Sequence, residues 1–125
     1  MESKDQKRLI VVEDSVSVRE AVVFALSRSG YDVLSASNGL EAMVILERNR
    51  IDLLLTDYHM PEMNGLDLIR WVRQKKIYKH LPILVLTTEG QRDVIMEARN
   101  AGATGWIQKP FAIEKLVQTI RRFIR

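Results

Sequence analysis

Four short stretches carry the residue types from which a charged site can be built: Glu13-Asp14, Asp57, Thr87-Thr88-Glu89 and Lys109-Pro110. Each follows a short strand-like run: Leu9–Val12, Leu53–Thr56, Pro82–Leu86 and Gly105–Gln108. If the runs are strands of one parallel sheet, all four ends share an edge. If the first and third strands are neighbours, Glu13, Asp14 and Asp57 converge there. Like charges at close range either protonate or recruit a cation. A divalent ion together with Lys109 would balance the three carboxylates. With no cysteine and no histidine pair, the all-oxygen ligand set favours a hard ion. Mg²⁺ is the best match, since it takes one or two carboxylates and keeps waters and phosphate oxygens. A cation, a lysine and a hydroxyl around one carboxylate suit phosphoryl transfer, where positioning and charge stabilisation do most of the chemistry.

The elements that must hold these groups are legible as an alternation. Ile51–Thr56 reads as a strand buried on both faces, with Asp57 at its carboxyl end, where open α/β sheets bind ligands. Strands are expected at Leu9–Val12, Val33–Ala36, Leu53–Thr56, Ile83–Thr87 and Gly105–Gln108. Helices are expected near Val16–Ser29, Leu40–Arg48, Leu66–Gln74, Arg92–Ala101 and Ile113–Ile124. The last shows the period best, with Ile113, Leu116, Val117, Ile120 and Ile124 on one face. Gly30 and Gly102 stand where helices end on a left-handed residue, and Asn38 stands where a cap belongs. Strands separated by helices imply right-handed βαβ units, hence a doubly wound α/β sheet covered on both faces. The expected organisation is a flexible lead-in over residues 1–7 and one domain over 8–125, with no effector domain after it.

Composition narrows the function classes. The 125 residues are 46% hydrophobic and 28% charged, ordinary for one globular domain. No apolar run approaches the roughly 20 residues of a membrane helix, and the charged N-terminus is not a secretory signal. The absence of cysteine excludes disulfide staples and agrees with a cytoplasmic address. The formal charge of +3 allows an acidic partner or nucleic acid but reads first as a solvated surface. Arg121, Arg122 and Arg125 close an amphipathic helix, where cations complement its dipole, so direct nucleic-acid binding is not expected.

Glu13-Asp14, Asp57 with Met60-Pro61 and Gly65, Thr87 and Lys109-Pro110-Phe111 stand in the order and spacing of response-regulator receiver domains. The chain resembles that family from about Arg8 to Arg125. The resemblance implies a flavodoxin-like (βα)5 fold with strand order 2-1-3-4-5, which the alternation alone does not supply. It further implies that Asp57 is the phosphoacceptor, attacking a phosphohistidine on a sensor histidine kinase or a histidine phosphotransfer protein. Asp14, Asp57 and the His59 backbone carbonyl would ligate Mg²⁺, with Glu13 acting through water. Thr87 would hydrogen-bond one phosphoryl oxygen and Lys109 pair with another, and Lys109–Pro110 resembles a bond that is cis in the family. Thr87 and Trp106 would form the switch, reshaping a face of the fourth helix, fifth strand and fifth helix. Arg92, Ile95, Arg99, Trp106, Lys115 and Arg122 are its candidate contacts. The chain would act as a monomer or weak dimer.

Two residues depart from the commonest family pattern. Trp106 stands where many receivers carry Tyr or Phe, and its larger indole must place an N–H. Thr88 is bulkier than the Ala or Gly often found there and would narrow access to Asp57. Trp106 with Thr87-Thr88-Glu89 is similar to a subset of chemotaxis receivers.

Blander readings and competing functions stand beside these. Asp14 could merely cap the first helix, Thr87 be an ordinary β-branched strand residue and Lys109 a surface lysine. The His59 imidazole is expected to face solvent, Met60 and Met63 to pack a loop, and Gly102–Gly105 to stop a helix rather than cradle phosphate. The leading function is an acceptor module rather than an enzyme, assisting its own phosphorylation and dephosphorylation. The alternatives are a phosphorelay intermediate and an aspartyl-nucleophile phosphatase. The phosphatase wants a second acid two residues after the nucleophile, and His59 occupies that place. A nucleotide or flavin binder would want a glycine-rich phosphate loop, and no G-x-G-x-x-G or G-x-x-x-x-G-K-[ST] motif is present.

Overall fold

The structure, a computed structural model, describes residues 6–88 and 92–124. Residues 1–5 of the lead-in, Glu89 and Arg125 lie outside the described residues. Five strands alternate with five helices: β1 (Arg8–Val12), α1 (Val16–Arg28), β2 (Asp32–Ala36), α2 (Gly39–Arg48), β3 (Leu53–Asp57), α3 (Gly65–Arg73), β4 (Ile83–Thr87), α4 (Arg92–Ala101), β5 (Gly105–Gln108) and α5 (Ile113–Phe123). A 3-10 turn over Lys76–Tyr78, not anticipated from the sequence, links α3 to β4. The strands are all parallel, in the order β2-β1-β3-β4-β5.

The apolar runs are unbroken because both sheet faces are covered. Leu9, Val11, Leu53, Leu55, Leu84 and Leu86 face one core with Val22 and Leu26 of α1 and Leu116 and Ile120 of α5. Ile10, Val12, Leu54, Ile83 and Val85 face the other, under α2, α3 and α4. Truncating a central side chain such as Leu54 to alanine opens a cavity costing about 2–5 kcal/mol. The edge strand β5 instead alternates, with Trp106 and Gln108 outward.

Helix ends follow local chemistry. The Ser15 hydroxyl caps α1 by accepting from the Val18 N–H (3.4 Å), so Asp14 is not the cap. The side chains of Asn38 and Asn64 cap α2 and α3, accepting from Glu41 and Asp67 at 2.9 Å. Gly30 and Gly102 have φ of 101° and 119°, the left-handed stops their positions suggested. The final helix ends at Phe123, one residue before expectation; the Tyr31 hydroxyl then donates to the Ile124 carbonyl at 3.0 Å. In the lead-in, the Lys7 carbonyl accepts from the Asp32 N–H (2.9 Å).

Candidate functional site

Register builds the site. Val12 pairs with Thr56 and Asp57 with Leu86, so the chain leaving β1 meets the end of β3. Ligand oxygens of Glu13, Asp14 and Asp57 consequently lie within 4.8 Å of one another. Lys109 follows β5, two strands away from β3, yet its Nζ reaches Glu13 Oε1 at 2.7 Å and Asp57 Oδ2 at 3.2 Å. Its backbone is fixed by an N–H donated to the Thr87 carbonyl (2.8 Å), and the Lys109–Pro110 bond is cis.

The three acids are held unequally. Glu13 is buried, and its two oxygens accept from Lys109 and from the Ser15 N–H, at 2.7 and 2.9 Å. Its backbone carbonyl accepts from Arg19 Nη1 at 2.7 Å. Asp14 is exposed. Asp57 is only 7% exposed. Burial and the neighbouring Glu13 charge push its carboxyl up to about 6, against the opposing pull of Lys109. Burial works against the Lys109 charge, but the Glu13 hydrogen bond and the Asp57 and Glu13 charges outweigh it and raise that ammonium above its ordinary value. Gly65 closes the floor: its N–H donates to the Tyr58 carbonyl (2.9 Å), and a Cβ there would drive into the Asp57 carbonyl.

Around this cluster, Thr87 is buried at the end of β4, one residue beyond the partner of Asp57. The His59 imidazole is exposed, as expected, and stands edge-on to the Tyr58 ring at 4.7 Å. Met60 and Met63 pack against the core beneath α2 and α3. The Tyr58 hydroxyl donates to Glu97 on α4 (3.1 Å), linking the residue after Asp57 to that helix. Trp106 is 42% exposed and lines a 460 Å³ cleft with Arg92, Ile95 and Arg99. Met96 and Asn100 complete that cleft, whereas Lys115 and Arg122 are exposed on α5 outside it.

The response regulator receiver domain profile matches residues 9–121. The chain is 41% identical over 115 residues to the "Chemotaxis protein CheY homolog" of Campylobacter jejuni, covering 90% of this chain and 88% of the relative. It is 43% identical to "Chemotaxis protein CheY1" of Helicobacter pylori, covering 90% and 93%. The fold superposes on Vibrio cholerae CheY4 with a TM-score of 0.92 at 38% identity, over 95% of this chain and 99% of that one. The chain belongs to the response-regulator receiver family.

It is homologous to the CheY chemotaxis response regulators. Receivers of this type are signalling modules that take phosphoryl groups from histidine kinases. The donor set fits a metal on its own chemistry, because three carboxylates crowd together with one ammonium beside them. Two parts of this receiver escaped the sequence reading. Arg19 lies one turn into α1, and no spacing rule marks it as a clamp on Glu13. The groove of 520 Å³ beside Lys109 sets Val18 and Ala21 of α1 against Thr88 and Phe111, and the two α1 residues read alone as ordinary packing.

Proposed function

We propose that this receiver accepts a phosphoryl group on Asp57 from a phosphohistidine of a sensor histidine kinase or phosphotransfer protein, and thereby switches its α4–β5–α5 face, in chemotaxis. The observation that carries the reading is the single cluster formed by Glu13, Asp14, Asp57 and Lys109 on the carboxyl edge of the sheet. An ionised Asp57 Oδ attacks phosphorus, the P–N bond breaks, and the donor imidazole leaves with the electron pair and takes up a proton. Asp14, Asp57 and the His59 carbonyl would hold Mg²⁺, with Glu13 acting through water, and the ion would supply positive charge to offset the phosphoryl oxygens and the ionised acids. Lys109 pairs with one phosphoryl oxygen and the Thr87 hydroxyl donates to another. Before transfer, Lys109 bridges Glu13 and Asp57 and so stands close to where negative charge arrives. The same groups assist hydrolysis of the acyl phosphate.

Thr87 and Trp106 transmit the change, and Arg92, Ile95, Arg99 and Trp106 share the cleft where a target would read it. The functional unit is taken as residues 8–125, acting in the cytoplasm as a monomer or weak dimer. Incubation with Mg²⁺ and acetyl phosphate or phosphoramidate is expected to add one phosphoryl mass, absent in Asp57→Ala. Repeated turnover of an organic phosphate would instead favour an aspartyl phosphatase. Transfer from phosphorylated protein to a second histidine protein would mark a relay intermediate.

A further inference from the structure

The amino-terminal edge of the sheet, opposite the acid cluster, carries a second shaped surface. The connection from α2 into β3 and the connection from α3 into β4 are tied together there by Tyr78. Its hydroxyl donates to the carbonyls of Leu46 (2.7 Å) and Asn49 (2.5 Å). Two shallow clefts of 430 and 240 Å³ open at this junction and share Arg50, Ile77 and Tyr78. Ile77 is 61% exposed between them and belongs to neither core. The next residue, Tyr78, is buried and anchored by its hydroxyl, so the exposed isoleucine sits on a fixed turn rather than a free loop.

The charges around Ile77 are lopsided. Arg48, Arg50, Lys75 and Lys76 line the clefts, Lys79 adjoins them, and the acids present are Glu47 and Asp52. Both acids are already engaged. Glu47 faces Lys75 at 3.7 Å, and Asp52 accepts the Arg8 N–H at 2.8 Å. Among the described residues, no ion pair takes up Arg48, Arg50, Lys76 or Lys79. An exposed apolar side chain ringed by uncommitted cations is the complement of an apolar side chain ringed by carboxylates. Concave clefts suit a peptide's side chains better than a planar bilayer. A base-stacking role is disfavoured because Lys75 Nζ already covers the Trp71 ring, 4.7 Å from its centroid.

We propose that this edge docks an acidic segment of a partner protein, with an apolar side chain against Ile77 and carboxylates on Arg48, Arg50 and Lys76. Five strand residues, about 16 Å, separate it from the acid cluster. Docking therefore persists whether or not Asp57 carries a phosphoryl group, and the surface serves as a constant tether that leaves the α4–β5–α5 face free.

The test is fluorescence anisotropy with a short labelled peptide of glutamate and aspartate around a central leucine pair, added to the full chain at low salt. Saturable binding is expected, unchanged in Asp57→Ala and in Arg99→Glu. It should weaken about tenfold in the Arg50→Glu/Lys76→Glu double variant and several-fold in Ile77→Ser, with thermal melts showing both variants folded. A peptide with serine for leucine should bind more weakly. The proposal is overturned if the peptide does not saturate, if the double variant binds as well as the parent, or if Arg99→Glu abolishes binding. Stronger competition from phosphatidylglycerol vesicles or a DNA duplex than from unlabelled peptide would equally reject a protein partner.

Discussion

Asp57 occupies its place at an energetic cost, because the metal-free fold holds its proton more tightly than an unfolded chain does. Its carboxyl is raised from 3.8 to about 6 by burial and by Glu13. Between those values the folded state binds more protons than the unfolded one. Stability of the metal-free protein therefore falls as pH rises from about 4 to about 6 and is level above that. Asp57→Asn, which keeps the shape without the charge, should be more stable than the parent at pH 8 by on the order of 1–3 kcal/mol. Urea denaturation without metal measures this, and the gap should close below about pH 4. An unchanged or lower midpoint at pH 8 would mean that Lys109 already compensates the charge. At this scale the acids and Lys109, which the fold brings together, were legible because each type follows a strand. Ser15 and Arg19 were not, since their contacts with the Glu13 segment depend on how α1 leaves β1. The sequence also pointed to Lys109 as a partner of Asp57 without revealing that its shorter contact is to Glu13.

The helices and strands were legible to within a residue or two because a parallel sheet buried on both faces demands unbroken apolar runs, and its helices demand a 3.6-residue period. The turn at Lys76–Tyr78 was not, because its stabilising contacts come from elsewhere. Tyr78 bonds to carbonyls at the end of α2, and Arg73 binds the turn from the other side. Arg73 donates to the Gly102 carbonyl through Nε (3.0 Å) and Nη2 (2.7 Å) and to the Tyr78 carbonyl through Nη1 (2.8 Å). One planar guanidinium thus joins α3, the turn and the end of α4. Arg73→Ala would strand these carbonyls and is expected to cost about 2–3 kcal/mol. Arg73→Lys should recover only part of it, since a point charge cannot serve the same fork. Thermal or urea unfolding of the two variants decides this. A lysine variant as stable as the parent would show that charge, not the fork, holds the turn.

For the molecule as a whole, the alternation implied parallel βαβ units but left the strand order open, and only the family resemblance supplied 2-1-3-4-5. That order matters physically because placing β1 beside β3 is what brings Glu13 and Asp14 onto Asp57. Net charge was equally blunt: +3 describes neither the acid cluster at one edge nor the cations at the other. The acid cluster links global stability to metal. A divalent ion that binds only the folded cluster adds about 2.7 kcal/mol at a hundred times its dissociation constant. It must also displace the proton that Asp57 holds with its carboxyl at about 6. Mg²⁺ should therefore raise the melting temperature strongly at pH 8 and progressively less as pH falls through 6. In Asp57→Asn the protonation step is gone, so the residual metal effect should be smaller and nearly level across that range. Differential scanning calorimetry at several pH values, with Mg²⁺ and with a chelator, measures both slopes. A Mg²⁺ shift of equal size at pH 5 and pH 8 in the parent would place the ion away from Asp57 and remove the ground for its role in phosphoryl transfer.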